Sequence, residues 1–205
     1  KYKVIQSPFQ NKFFVKKNRK IKIKNIRVGT TCNFNPIKNI DLFVEIANFF
    51  KKNNSDFKFY IYCTVYSNQK KYFISIRKKI NRLNLNNIFF IKNLNKNITV
   101  KKFLMSIDYY MCTSKYESSP ISVWEAIASG LPVFSTDVGD LDKLFSNYSK
   151  NFIVKSHKAD QFYKLMLNYK KLSNIKKIQM IKNLKNKINI NSSENNCFRQ
   201  HLNLY

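Results

Sequence analysis

The chain of 205 residues carries 38 lysine and arginine residues against 11 aspartate and glutamate residues, a formal net charge of +27. A hydrophobic content of 44% with 15% aromatic residues excludes an intrinsically disordered chain and suffices for the core of one domain. No run reaches the ~18 apolar residues of a membrane-spanning helix, so the sequence does not indicate a transmembrane protein.

Apolar runs typical of buried strands alternate along the chain with amphipathic helical patterns. The predicted strands are 26–31, 57–65, 88–91, 109–114, 133–136 and 152–154. A helix at about 37–52 has apolar residues at helical spacing, namely Ile40, Phe43, Val44, Ala47 and Phe50. A second helix at about 69–83 does the same with Tyr72, Phe73, Ile76 and Ile80. The pattern is helical again from 159 to 190. This alternation predicts an α/β fold: a Rossmann-like three-layer parallel sheet with helices on both faces.

The segment between residues 114 and 140 stands out because acids and glycines concentrate at its turns. It holds Gly130 and Gly139, two of the 3 glycines of the chain. Five of the 11 acids lie in or just after it: Glu117, Glu125, Asp137, Asp140 and Asp142. In a chain so rich in lysine and asparagine, this concentration predicts a binding site.

A helix is predicted to begin in this segment at Ser119-Pro120. Serine at the N-cap accepts an unpaired N–H, and proline at the first helical position lacks the donor that would go unpaired. Gly130 ends the helix after about three turns. Glu125 then leans back over the first turn, near the N–H groups of residues 120 to 123. Such N–H groups can bind a phosphate, and a carboxylate beside them can accept both hydroxyls of a ribose.

Three loops of the predicted sheet each follow a strand: residues 29–38, 115–119 and 137–141. Ligands of open parallel sheets bind outside the carboxyl ends of the strands, and these loops therefore share one edge. The residues that this argument places in a single site are Gly29, Lys38, Glu117, Glu125 and Gly139.

Glu117 and Glu125 are separated by seven residues, and the segments Glu125-Ala-Ile-Ala-Ser-Gly-Leu-Pro-Val133 and Thr136-Asp-Val-Gly-Asp140 follow. This pattern resembles the nucleotide-binding half of the retaining glycosyltransferases of family 4, which have the two-domain GT-B architecture. The similarity extends more weakly from Val4 to about residue 185. It implies a UDP-, GDP- or ADP-sugar as the donor substrate without a further cofactor, and a glycan or lipid-linked acceptor. The cysteines, which have no close pairing, indicate a reducing cytosol, and the positive charge allows contact with an anionic membrane surface.

The resemblance gives individual residues their roles. Glu117 contacts the hydroxyls of the donor sugar near the reacting centre and is the predicted catalytic residue, and Lys38 binds phosphate. The predicted donor-binding residues are Gly29, Lys38, Ser118, Ser119, Pro120, Ile121, Ser122, Glu125 and Gly139. Because Lys1 is not an initiator methionine, residues 1–25 are predicted to be a linker from an upstream domain. Residues 26–190 are then the donor-binding domain, and 191–205 a polar tail.

Two positions depart from the family pattern. Thr30 stands where the family has an arginine that shares phosphate neutralisation, and Cys63-Thr64 replaces glycines after the next strand. These departures keep open a non-catalytic nucleotide or nucleotide-sugar-binding module. Since the acceptor-binding half has no counterpart here, we expect no turnover from this chain alone. A nucleic-acid-binding domain is less favoured, because the basic residues form no concentrated stripe and no RNA- or DNA-binding motif.

The remaining reactive side chains are interpreted as structural. Asp140-Leu-Asp142 resembles the metal signature of a different glycosyltransferase architecture, but it follows a glycine turn and opens a short helix, so no metal site is predicted. Tyr116 and Trp124 are predicted to be packing residues. Four cysteines without close pairing are expected to be free thiols, mostly in strands: Cys32, Cys63, Cys112 and Cys197.

Overall fold

The computed structural model describes residues 11–13, 24–53, 55–93 and 99–192. Its strands are β1 (Ile26–Asn33), β2 (Phe57–Thr64), β3 (Phe89–Asn93), β4 (Tyr109–Cys112), β5 (Val133–Thr136) and β6 (Ile153–Val154). All pair in parallel, in the order β3-β2-β1-β4-β5-β6. The six predicted strands and their parallel arrangement are confirmed.

Helices connect the strands and cover both faces of the sheet. They are α1 (Ile40–Lys52), α2 (Lys70–Arg82), α3 (Val100–Ser106), α4 (Ile121–Ala128), α5 (Leu141–Phe145), α6 (Ser149–Phe152), α7 (Ala159–Lys171) and α8 (Asn174–Ser192). Helix α1 packs against α2 and α7, whereas α4 packs against α8. The predicted Rossmann-like α/β fold is therefore correct.

The amphipathic pattern of α1 determines which of its faces lies on the sheet. Every residue predicted for that face is buried: Ile40, Phe43, Val44, Ala47 and Phe50. The rings of Phe43 and Phe50 meet Phe59 of β2 with centroids 5.7 and 5.5 Å apart, in edge-to-face geometry. Pairs of this kind add about 0.5–1.5 kcal/mol to the burial of the rings, so α1 is held firmly against the sheet.

Gly29 does not begin the loop predicted at 29–38, because β1 continues through it to Asn33. Its α-carbon lies under two buried side chains of the α3 region. A Cβ at this position would lie 2.7 Å from both Phe103 and Ile107. The glycine is therefore required by close packing between strand and helix, and the loop after β1 begins five residues later than predicted.

Helix α4 differs from its prediction at both ends. Pro120, not Ser119, is the N-cap residue, and no side chain caps the helix. The helix spans eight residues rather than about three turns. Gly130 does end it, with a φ of 78°, and the Leu131 N–H donates to the carbonyl of Ala126. That left-handed glycine closure is the one the sequence predicted.

The helical pattern from 159 to 190 resolves into α7 and α8, with a break at Leu172 and Ser173. Helix α8 continues to Ser192, so the start of the tail predicted at 191–205 is helical and its remainder lies outside the described residues. The predicted linker, residues 1–25, is also largely outside them. None of the helices in the described ranges has the length and apolar character needed to cross a membrane.

Candidate functional site

The site lies where the strand order reverses. Strand β1 leads on to β2 on one side and neighbours β4 on the other, so the loops after β1 and β4 leave the sheet side by side. The Lys115 N–H donates to the carbonyl of Ile37 at 2.7 Å, and the Thr113 hydroxyl donates to the carbonyl of Lys38 at 3.1 Å. Reversal points of this kind are the usual ligand sites of open α/β sheets.

Lys38 and Glu117, two of the three charged residues predicted for this edge, bind each other. The ammonium of Lys38 donates to Glu117 Oε1 at 2.7 Å, with side chains 30% and 14% exposed. The hydroxyl of Ser114, which is buried, donates to the same carboxylate oxygen at 2.7 Å. Thr136 of β5 in turn donates to the Ser114 carbonyl at 2.6 Å. The loop that carries Glu117 is thus attached to the segment that follows β1 and to β5.

Beneath this ion pair lies a small polar cavity. The buried hydroxyl of Tyr110 is 2.9 Å from the Thr31 hydroxyl and also hydrogen-bonds Ser122, the one predicted donor-binding serine that reaches this space. The space that these residues enclose with Lys38, Ser114 and Glu117 amounts to about 10 Å³. One water molecule needs about 10–15 Å³, so this space holds at most one water and is too small for a phosphate.

Gly139 brings the third predicted loop to the same edge. Its φ is +60°, a left-handed conformation that glycine adopts without strain. A Cβ here would also lie 3.2 Å from the carbonyl oxygens of Glu117 and Ser118 and 3.1 Å from the Pro120 ring. The loop after β5 therefore packs directly on the loop that carries Glu117, as the sequence predicted.

Glu125 occupies a partly buried position on α4 and is absent from the lining of the cavity below Lys38. Burial raises the pKa of its carboxyl to about 7, and the charge of Lys12 opposes that rise. A carboxylate that is desolvated before any ligand arrives is typical of a functional position, although ion-pair networks also shift pKa values.

The start of α4 offers fewer free N–H groups than predicted. Pro120 has none, Ile121 donates to the Ser119 carbonyl at 2.8 Å, and Val123 donates to the Pro120 carbonyl at 2.8 Å. Among the described residues, the Ser122 N–H meets no backbone carbonyl. Pro120 has φ −78° and ψ 67°. Of the three N–H groups at residues 121 to 123, only that of Ser122 is left for an anion.

Exposed side chains surround the closed cavity. Ser118 is exposed and Ser119 is half-buried. Three apolar side chains of the same loops and helix start are also exposed: Ile37 (46%), Tyr116 (69%) and Ile121 (37%). The prediction that Tyr116 packs in the core is therefore wrong, since its loop carries it outward, whereas Trp124 is buried as predicted.

The thiols give no sign of a second reactive centre. Cys63 and Cys112 are buried and Cys32 is partly exposed, all three are free, and burial raises the pKa of the Cys63 thiol to about 11. The fourth cysteine, Cys197, lies outside the described residues. Within the described ranges, no three His, Cys, Asp or Glu side chains lie close enough to bind a metal ion.

Sequence reasoning missed the polar residues that support the charged pair. Ser114 contacts Glu117 directly, and Thr31 and Tyr110 form the cavity floor. Ser114 stands at the end of a strand and three residues before Glu117, which was the available signal. Thr31 and Tyr110 are 79 residues apart, and only the pairing of β1 with β4 brings them together.

Comparison with known proteins identifies the family of the chain. Residues 11–187 match the family model described as Glycosyl transferases group 1. A poly(ribitol-phosphate) alpha-N-acetylglucosaminyltransferase of Staphylococcus aureus (strain COL) is 30% identical over 146 residues, which are 69% of this chain and 28% of the relative. The chain therefore spans about a quarter of the length of that curated relative.

Solved structures extend the comparison. A variant of S. aureus TarM in complex with Fondaparinux, alpha-GlcNAc-glycerol and UDP is 26% identical, with a TM-score of 0.74 over 93% of this chain and 38% of TarM. Two others share the fold. Anabaena Alr3699/HepE in complex with UDP and glucose has a TM-score of 0.81 at 15% identity, over 98% of this chain and 56% of HepE. The C-terminal domain of a group 1 glycosyltransferase, LpcC of Francisella tularensis, has a TM-score of 0.73 at 16% identity, over 91% of this chain and 99% of that domain.

Proposed function

The chain belongs to the group 1 glycosyltransferase family, and on this premise we propose that it is the nucleotide-sugar-binding half of a retaining, metal-independent glycosyltransferase of family 4. It transfers a hexose-type sugar to a glycan or lipid-linked acceptor. The observation that carries the proposal is the pairing of Lys38 with Glu117 at the reversal point between β1 and β4. Relatives that share this fold have been solved with UDP and with sugars.

The chemistry follows from the growth of charge on the donor. As the bond between sugar and phosphate breaks, negative charge accumulates on the diphosphate. Lys38 and the N–H of Ser122 would stabilise that charge from fixed positions. Glu117 would accept hydroxyls of the sugar, and Glu125 would accept the ribose hydroxyls. The acceptor site is not among these residues, and turnover therefore needs more of the protein than this chain.

A non-catalytic nucleotide or nucleotide-sugar-binding module is the second candidate. Thr30 favours it, because a nearly buried threonine stands where the family has a phosphate-binding arginine. Lys38 then binds the diphosphate without the second positive charge that the arginine would supply, and donor affinity falls. Sugar transfer by the same domain joined to an acceptor-binding half would exclude this candidate.

We expect a nucleoside diphosphate to bind this chain without a metal ion. Isothermal titration of UDP, GDP and ADP should detect binding by at least one of the three, with equal affinity in EDTA and in Mn²⁺. The reason is that Lys38 and a backbone amide bind the phosphates, so no metal ion is needed to balance their charge. Affinity lost in EDTA and restored by Mn²⁺ would promote Asp140 and Asp142 to metal ligands. No binding of any of the three would end the proposal.

We also propose that the protein acts in the cytoplasm at an anionic membrane surface. The net charge of +27 supports this, as does the junction of α7 and α8, where Ile175 is 83% exposed between the exposed Lys171 and Lys176. An apolar side chain among lysines can insert between anionic headgroups.

Co-sedimentation with vesicles tests the membrane proposal. Phosphatidylglycerol vesicles should bind the chain and phosphatidylcholine vesicles should not. Ile175→Asp should weaken that binding about tenfold, because it replaces the inserting group by a charge that the lipid repels. Ile74, on α2, is 50% exposed among other lysines, and Ile74→Asp is the matched control. Equal losses of vesicle binding for the two variants would mean that the positive charge acts diffusely and that the junction of α7 and α8 is not a membrane-binding surface.

A further inference from the structure

The proposed function gives Lys38 and Glu117 different parts of the donor to bind. Lys38 takes the diphosphate, and Glu117 takes hydroxyls of the sugar. In this structure the two side chains bind each other instead, at 2.7 Å. The ion pair uses one of the three N–H donors of the ammonium and compensates its charge, so Lys38 attracts a phosphate less strongly while the pair is formed. The diphosphate of the donor therefore competes with Glu117 for Lys38.

The surroundings of the pair favour its closed arrangement. Ser114 donates to the same oxygen of Glu117 that Lys38 contacts, and this orients the carboxylate toward the lysine. The space beneath the pair, about 10 Å³, is far too small for a phosphate. With Glu117 only 14% exposed, the carboxylate loses a partner that solvent replaces poorly once Lys38 turns away.

We propose that Glu117 occupies Lys38 in place of the diphosphate, and that this makes the domain discriminate a nucleotide sugar from the free nucleoside diphosphate. The inference rests on the proposed function. When a nucleotide sugar binds, its diphosphate takes Lys38, and its sugar hydroxyls satisfy the released carboxylate of Glu117. A nucleoside diphosphate without the sugar takes Lys38 but leaves the Glu117 carboxylate without a compensating charge beside two phosphates. The spent nucleotide is thus held weakly and leaves readily.

The test compares UDP with UDP-N-acetylglucosamine on wild type and Glu117→Gln by isothermal titration of the full 205-residue chain. The neutral amide no longer competes for Lys38, so UDP should bind the variant about three- to tenfold more tightly. UDP-N-acetylglucosamine should bind it equally or more weakly, because the amide is a poorer acceptor for hydroxyls. The preference for the sugar-bearing ligand should fall about threefold or more. Glu117→Ala should change UDP affinity in the same direction, and melting temperatures check that each variant folds.

Asp137→Asn is the control that distinguishes the release of Lys38 from the simple loss of one negative charge near the site. Asp137 is an exposed acid in the loop that packs on the Glu117 loop, and its neutralisation removes one negative charge without releasing Lys38. An increase in UDP affinity as large for Asp137→Asn as for Glu117→Gln would overturn the inference, as would a Glu117→Gln variant that loses UDP affinity. Failure of the wild type to bind UDP, GDP or ADP would instead remove the proposed function, and the inference with it.

Discussion

The Glu125→Gln variant is expected to lose the protection that a bound nucleotide gives against unfolding. At ligand concentrations about a hundredfold above Kd, the wild type should gain about 2.7 kcal/mol of stability. Replacing a carboxylate that accepts two ribose hydroxyls should raise Kd about a hundredfold, because hydrogen bonds to a charged group contribute about 1.5–3 kcal/mol each. The variant would then gain only about 0.4 kcal/mol. Thermal unfolding with and without UDP, GDP or ADP measures both values.

The same variant should be more stable than the wild type when both are empty at pH 8. Burial raises the pKa of Glu125 in the folded state from 4.5 to about 7. Between those two values the unfolded chain has already lost the proton that the folded chain still holds, so the wild type loses stability as pH rises through this window. Glutamine does not titrate, and the difference should vanish below about pH 4 and level off above about pH 7.

Glu45→Gln is the matched control, since Glu45 lies on α1, pairs with Lys79 and is half-exposed. It should leave nucleotide protection unchanged. Equal protection of Glu125→Gln and wild type would remove Glu125 from the donor site, even if its effect on the empty domain were found. Opposite signs for the two effects would identify a carboxylate that is kept for binding at a cost to stability.

Lys38→Ala is expected to lower nucleotide-sugar affinity about ten- to a hundredfold, because it removes the side-chain cation of the site. Binding by the wild type should survive 200 mM salt, since one lysine and an oriented amide meet the diphosphate. Nucleic-acid binding through the diffuse charge of +27 should behave differently. It should fall by about 10³-fold or more between 50 and 200 mM salt if roughly six phosphates are contacted. Isothermal titration and filter binding at both salt concentrations measure these affinities.

Lys164→Ala supplies the control for Lys38, because Lys164 is 73% exposed and its partner is Asp160 on the same helix. It should alter neither affinity by more than about twofold. Tight RNA binding at 200 mM salt without detectable nucleotide-sugar affinity would contradict the glycosyltransferase proposal and favour a nucleic-acid-binding domain.

Local patterns of the sequence were sufficient to predict the helices and strands. They also predicted the two glycines whose role depends only on their own backbone conformation. The apolar face of α1 is readable because its residues repeat at helical spacing, and all of them are buried. Gly130 and Gly139 were readable because each occupies a left-handed turn after a helix or strand. Alternating strands and helices leave few arrangements other than a parallel sheet, and such a sheet brings its loops to one edge.

Contacts between distant segments were decided by the tertiary structure alone. The sequence placed Lys38 and Glu117 at one edge, but only the pairing of β1 with β4 joins them across 79 residues and places Ser114 on the same oxygen. The sequence assigned Gly29 to a loop. It could not show that the glycine is required by packing, because the side chains that exclude a Cβ come from the later α3 region. The raised pKa of Glu125 likewise depends on what buries it. Sequence spacing thus determined which groups this domain presents, and packing decided which of them meet, because contact and desolvation depend on neighbours far away along the chain.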